Sequence, residues 1–304
     1  MIEVAVVGSL HLDIVVAAPR LPARDETLMG SAWHFKCGGK GGNQAVAAAR
    51  FGAHTGFGGR VGEDDFGRTL TANLAAAGVG IANVGVDPAR GSGMSVAITE
   101  AAGEYGAVAV SGANLAIDAA AIAADWAPLW QARVLLLQNE VPEPVNLAAA
   151  RAATARGARV VLNAAPAREL SGELLALTDV LVVNRVEARM LTGEDDPARA
   201  LGALHAPARD VVLTRGGDGL MAMRRDGTRF DLPALPVTLL SSHGAGDCFC
   251  GALAARLAKG DALETACRFA SAAAGLFVSL PEERHAELDS TAVERALPSH
   301  HPRA

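Results

Sequence analysis

Aromatic side chains are scarce in this chain: Phe, Trp and Tyr make up 4% of 304 residues, and tyrosine occurs once. A core therefore has to be filled by aliphatic and small side chains, a composition suited to alanine-rich helices packed on a sheet. Long hydrophobic runs are also missing. The N-terminus enters Ile2–Val7 with no charged leader and no extended apolar stretch, so a cytoplasmic protein is expected, with no signal peptide and no membrane span. Basic runs are absent too. The 27 Lys and Arg are scattered among 33 Asp and Glu, for a net charge of −6. This excludes the basic patch that supplies most of the affinity for nucleic acid or a membrane surface. The four cysteines, Cys37, Cys248, Cys250 and Cys267, lack metal-ligand spacing and read as small reduced thiols of a core. No repeat, low-complexity tract or linker interrupts the chain, and one domain over residues 1–304 is expected.

What is present is a series of short runs rich in branched residues: Ile2–Val7, Val134–Leu137, Val160–Leu162, Val180–Val183 and Val211–Leu213. They show little alternation, as expected of strands covered on both faces of a parallel sheet. Helices fall between them. Asp64 or Asp65 can cap one whose stripe is Phe66, Leu70 and Leu74 and which Gly78 ends; Pro144 begins another that runs to Arg156 and stops at Gly157. This alternation predicts a doubly wound α/β sandwich with a mostly parallel central sheet. Two regions break the rhythm. Residues 13–35 hold Pro19 and Pro22 with polar–apolar alternation, and residues 92–110 read as a hairpin of Met94–Thr99 and Tyr105–Val110 turning at Ala102–Gly103–Glu104. Together they suggest a small accessory sheet. Asp226-Gly227 marks a further tight hairpin between Gly219–Arg224 and Thr228–Leu232.

The segment richest in chemistry is Ser241-Ser242-His243-Gly244-Ala245-Gly246-Asp247. A Gly-Ala-Gly turn opens a helix expected over Asp247–Lys259, and the first N–H groups of a helix have no internal acceptors. With the helix dipole they suit an anion or the charge developing on a transferring phosphoryl group. Asp247 at that mouth is placed to take a proton from an attacking hydroxyl. The plainer alternative is an acidic residue favoured in any first helical turn. Gly38-Gly39-Lys40-Gly41-Gly42-Asn43, ahead of a helix expected at Gln44–Arg50, lets backbone lie close to a ligand while Lys40 and Asn43 supply donors. It is neither a Walker loop nor a dinucleotide fingerprint, and as an isolated motif it can equally be a flexible turn. His11 and Asp13 follow the first strand, and Glu140 the strand from Val134, at carboxyl ends that face the crevice of an open sheet. Asp13 also suits a turn. Asn184-Arg185-Val186-Glu187 can position waters of Mg²⁺ or form a helix cap, or both. Thr214-Arg215-Gly216-Gly217-Asp218-Gly219 is a glycine-rich strand-end loop suited to a nucleotide.

Taken in this order, these motifs resemble the ribokinase-like (PfkB) carbohydrate kinase family, from Val4 to about Val278, with the stretch 162–193 most similar to the ribokinases. The resemblance implies a three-layer αβα sandwich with a small β-sheet lid that closes over the sugar and serves as a homodimer contact. It implies ATP and Mg²⁺, with γ-phosphoryl transfer to a primary hydroxyl of ribose or a related small sugar. It makes Asp247 the base and Gly244, Ala245 and Gly246 the anion hole, and gives sugar contacts to Asp13, His11, Gly39, Lys40, Asn43 and Glu140. It gives nucleotide contacts to Asn184, Thr214, Gly216, Gly219 and Ser271, and a water-mediated Mg²⁺ role to Glu187. The departures are Ser241-Ser242 where the family has Asp-Thr, Leu280–His285 where it has a Gly-Ala-rich loop, Ser271 for a histidine and His11 for an asparagine. The first two leave the monovalent-cation site at Ser241 and His243, and with it dependence on K⁺, open. Against this stand a nucleoside kinase of the same superfamily, a non-catalytic sugar sensor suggested by the altered cation site, and a nicotinamide dehydrogenase, which lacks its fingerprint glycines.

Overall fold

Two sheets organise the chain in the computed structural model, which describes residues 1–100, 105–206 and 209–297. The larger contains β1 (Val4–Val7), β4 (Thr55–Gly62), β5 (Gly80–Asp87), β8 (Val134–Gln138), β9 (Arg159–Asn163), β10 (Val180–Asn184), β11 (Asp210–Thr214), β12 (Leu220–Met223) and β13 (Arg229–Leu232), in the order β13-β12-β11-β10-β9-β8-β1-β4-β5. It is parallel from β11 to β5 and antiparallel where β12 and β13 finish one edge. The smaller holds β2 (His11–Ala17), β3 (Ala32–Gly38), β6 (Gly93–Thr99) and β7 (Tyr105–Val110) in the order β3-β2-β6-β7, with β2 and β6 parallel. Both chain regions that broke the helical rhythm meet in this sheet. The turn expected at 102–104 lies outside the described residues.

The central strands are apolar at successive positions because both faces are covered. Val4, Val6, Leu136, Val182 and Val212 pack under α1 (Lys40–Arg50), α2 (Asp65–Ala76), α8 (Ala245–Ala258), α9 (Leu263–Ser279) and α10 (Ser290–Ala296). Their neighbours Ala5, Val7, Leu135, Leu137, Leu181 and Val183 face α3 (Ile122–Asp125), α4 (Glu143–Thr154), α5 (Gly172–Leu177), α6 (Arg185–Thr192) and α7 (Pro197–Leu204). The described helices thus form two layers around the sheet, the three-layer sandwich expected. Among the described residues no helix is long and apolar enough to cross a membrane.

Strands β4 and β5 were not foreseen, and β4 shows why. Its sequence Thr-Gly-Phe-Gly-Gly-Arg-Val-Gly carries little hydrophobic signal, yet it lies between β1 and β5 and is buried. The glycines answer to packing: a Cβ on Gly58 would sit 2.8 Å from the Trp126 ring, and one on Gly56 2.8 Å from Leu129. The same force corrects the helix starts. The helix expected from Gln44 begins at Lys40, so Gly41 and Gly42 are helical rather than a loop. A Cβ on Gly41 would meet the Ser9 backbone nitrogen at 2.6 Å, because this first turn lies directly on the chain leaving β1. The helix expected from Asp247 begins at Ala245, which places Ala245 and Gly246 in its first turn. The helix expected from Pro144 to Arg156 spans Glu143–Thr154. Asp64 caps α2 through a hydrogen bond from the Gly67 N–H.

Helices α1 and α8 approach closely, and both are rich in buried small side chains, Ala45, Ala47 and Ala48 in the one and Ala252 and Ala255 in the other. Gly251 sets the limit: a Cβ there would lie 2.5 Å from the Ala47 Cβ and 2.6 Å from the Gln44 carbonyl oxygen. Gly251→Ala is therefore expected to lower unfolding free energy in urea by ~1–3 kcal/mol, the usual range for overpacking. A variant as stable as the parent would show that the two helices part without cost.

Candidate active site

The carboxyl ends of the parallel strands converge on the N-terminus of α8. Gly244 stands at its N-cap with φ 79°, a left-handed conformation that favours glycine, and no side chain caps the helix. The Ala245 N–H donates to the Ser242 carbonyl at 3.3 Å, and the next N–H groups, of Gly246 and Asp247, are left open beside a cavity of about 180 Å³, which Lys40, Asn184, Glu187, Thr214, Gly244, Gly246 and Asp247 line. Asp247 is buried, at 8% exposure. Its Oδ1 accepts a hydrogen bond from Gln44 Nε2 at 2.9 Å and its Oδ2 one from Asn43 Nδ2 at 3.1 Å. Burial raises its pKa above the ordinary carboxylate value, and the Lys40 charge with these two amide donors pulls only part of the way back. Burial works to lower the Lys40 ammonium, but Asp247, Glu140 and Glu187 outweigh it and hold Lys40 above the usual lysine value.

Asn184 ends β10 and caps α6 with a complete capping box. Its Oδ1 accepts from the Glu187 N–H at 2.9 Å, and Glu187 Oε2 accepts from the Asn184 N–H at 2.8 Å. Both residues also line the cavity, so the structural role and a ligand-facing position coincide. Burial raises the Glu187 pKa as well.

A second polar group lies at the root of the small sheet. Glu140 Oε2 accepts from the Lys40 N–H at 2.7 Å and from the Ser9 hydroxyl, and stands 3.8 Å from His11 Nδ1. Asp13 Oδ1 accepts from the Ser95 hydroxyl at 2.5 Å. Gly38 and Gly39 make room for these groups: a Cβ on Gly38 would lie 2.2 Å from Asp13 Oδ2, and one on Gly39 2.8 Å from the His11 nitrogen.

Other positions picked out in the sequence stand apart. Gly216, Gly219 and Ser271 are not among the residues lining the cavity. Gly219 is buried where a Cβ would strike the Leu232 carbonyl. Ser241 and His243 are exposed, and the Ser241 hydroxyl accepts from the His243 N–H at 3.3 Å. Beyond α9, His285 stacks on Phe277 at 3.8 Å between ring centroids, with Nε2 3.1 Å from the carbonyl oxygens of Phe277 and Leu280.

The family model for pfkB family carbohydrate kinases matches residues 1–288. The chain belongs to this family. The kinase is 33% identical over 280 residues to a ribokinase of Haemophilus influenzae, covering 90% of this chain and 91% of that one. It is 31% identical over 261 residues to a deoxyribokinase of Salmonella typhi, covering 83% and 84%. Its fold matches that of Arabidopsis thaliana ribokinase complexed with ribose and ATP, with a TM-score of 0.90, 28% identity and coverage of 99% and 100%.

Three residues of this candidate site were missed in the sequence. Gln44 bonds Asp247 directly, Asn163 lines the cavity from the end of β9, and Cys250 lines it one helical turn beyond Asp247. The strand-end position was a usable signal for Asn163; Gln44 and Cys250 had none, because each lies inside a helix. The raised pKa of Asp247 also fixes a stability sign. The folded state gains from a protonated Asp247 at low pH and loses that advantage as pH rises through the raised folded value. Asp247→Asn is thus expected to melt at a higher temperature than the parent near neutral pH. The difference should close as pH falls below the ordinary aspartate range, as thermal denaturation at stepped pH would record.

Proposed function

We propose that this kinase transfers the γ-phosphoryl group of ATP to the primary hydroxyl of ribose or a closely related sugar, with Asp247 as the base. The observation that carries the reading is a buried carboxylate at the uncapped N-terminus of α8, beside a lysine and two amide donors. In-line transfer asks little covalent chemistry of the protein and depends on positioning and electrostatics. Asp247 takes the hydroxyl proton, and the N–H groups of the Gly244–Gly246 turn, with Ala245 between, receive the charge of the transferring group. Lys40, held cationic by its three carboxylate neighbours, balances the charge gathered there.

Asp13, His11, Gly39, Asn43 and Glu140 form the sugar side, where carboxylates and an amide suit paired hydroxyls. Asn184, Thr214, Gly216, Gly219 and Ser271 form the nucleotide side, the last three reached by the adenosine end rather than the phosphates. Among the described residues no three His, Cys, Asp or Glu side chains gather to hold a metal ion. This fits an ion that keeps most of its waters and rides on nucleotide phosphates. Glu187, a buried carboxylate facing the cavity, and Asn184 would hold its waters; Mg²⁺ so bound would neutralise the phosphate charge. The whole chain 1–304 acts as one unit, with the small sheet as a lid that excludes water. A homodimer through that lid accounts for the exposed Trp33, Phe35, Val108 and Val110 on it. A cytoplasmic setting fits the four free thiols.

A coupled ADP-release assay with ribose, deoxyribose, ketohexoses, adenosine and pseudouridine, with and without K⁺, tests the assignment. Turnover is expected with a pentose and not with nucleosides. Asp247→Asn is expected to lower it at least ~100-fold with sugar binding nearly intact, the lower range for a positioned acid–base group. Undiminished turnover in the folded variant would remove Asp247 from the mechanism.

A further inference from the structure

Asp247 is the end of a chain of buried amides. Gln44 is wholly buried in α1, and each of its polar atoms is in use. Its Nε2 donates to Asp247 Oδ1 at 2.9 Å and to Asn163 Oδ1 at 3.0 Å, while its Oε1 accepts from Gln138 Nε2 at 2.8 Å. The orientation of that amide follows from its neighbours. Asn163 Nδ2 is turned to the Val182 carbonyl of β10 at 3.3 Å, which leaves its oxygen facing Gln44. Gln138 is held in place in turn, and its Nε2, which also lies 3.5 Å from the Leu136 carbonyl oxygen, is kept toward Gln44. Asn146 Nδ2 donates to its backbone carbonyl at 2.7 Å, and its side-chain amide fills the space over Gly8, where a Cβ would lie 2.0 Å from Oε1. Flipping Gln44 would set oxygen against oxygen at both Asp247 and Asn163, and nitrogen against nitrogen at Gln138.

The two oxygens of Asp247 are therefore not equivalent. A proton on Oδ1 would oppose an N–H that cannot turn away. Oδ2 is held only by Asn43, which is half-buried in the first turn of α1 and whose amide has no second anchor among the described residues. We infer that Gln44 is a positioning residue of the phosphoryl transfer: it reserves Oδ1 of Asp247, fixes the carboxylate plane, and leaves Oδ2 as the oxygen that receives the hydroxyl proton. This rests on Asp247 being the base. The charged and titratable groups around that carboxylate are Lys40 from α1, Glu140 beyond β8, Glu187 from α6, and Cys248 and Cys250 on α8 itself. Of the contacts that favour the ionised form, Gln44 is the one with no exposure to solvent.

The test compares the full-length kinase with Gln44→Leu, Gln138→Leu and Asp247→Asn, using whichever sugar supports the fastest ADP release. Gln44→Leu is expected to lower kcat by ~10–100-fold, as loss of an orienting neighbour commonly does. Its sugar KM should stay within about threefold, because the lost interaction acts on the base rather than on sugar binding. The acid limb of its kcat–pH profile is expected to move up by about one unit, since an anion-stabilising donor has gone. A merely structural glutamine would reduce the yield of folded enzyme and leave that limb in place. Gln138→Leu removes one of the three contacts that hold the Gln44 amide and should shift kcat and the limb in the same directions, less far; it decides the matter if Gln44→Leu does not fold. Folded variants with an unmoved acid limb and unchanged kcat, alongside an inactive Asp247→Asn, would overturn the role of Gln44 alone. An active Asp247→Asn would bring down the base assignment itself.

Discussion

The structure turns on keeping one carboxylate ionisable where burial opposes it. Asp247 is removed from water at the start of α8, and what makes its charge tolerable is a set of partners from elsewhere in the chain: Lys40, Asn43 and Gln44 from α1, and the dipole of its own helix. Each partner is useful only if α1 lies tight against both the sheet and α8. Much of the small-residue composition follows from that. Gly41 and Gly42 let the first turn of α1 rest on the chain leaving β1, and Gly251 lets α8 come down on α1. The low aromatic content agrees with this, because a large ring at these contacts would push Asp247 away from its donors.

The sequence carried the middle of the fold plainly and its margins poorly. Strands β8 to β11 were legible because burial on both faces demands an unbroken apolar run, and Val134–Leu137 or Val180–Val183 satisfy it. Strand β4 was not, since its contacts with Trp126 and Leu129 demand glycine at the positions where a strand ordinarily shows valine. Helix starts slipped for a related reason. Glycine speaks for a loop by local propensity, yet Gly41 and Gly42 are helical because tertiary packing outweighs the ~1 kcal/mol that propensity charges each of them.

The site divides the same way. Asp247, Lys40, Asn43, Asn184 and Glu187 were recognisable because each sits at an element boundary, where unpaired backbone groups and side chains gather. Asn184 and Glu187 also show that a cap and a ligand-facing pair need not be rival explanations, since one arrangement fulfils both. Gln44, Gln138 and Asn163 make up an interior network whose meaning exists only once three elements are brought side by side. The carbonyls at the C-terminal end of α9 are a further case: His285 donates toward Phe277 and Leu280, a pairing that no spacing rule anticipates.

The small sheet is rooted in the main body at points with almost no slack. Strand β1 ends at Val7 and β2 begins at His11; β3 ends at Gly38 and α1 begins at Lys40. One residue, Gly39, at φ 84°, separates the last strand residue of that sheet from Lys40 and the residues behind it. The small sheet and the carboxylate of Asp247 thus share one short stretch of chain, from Gly39 through Lys40 to Asn43 and Gln44, with no slack segment between them.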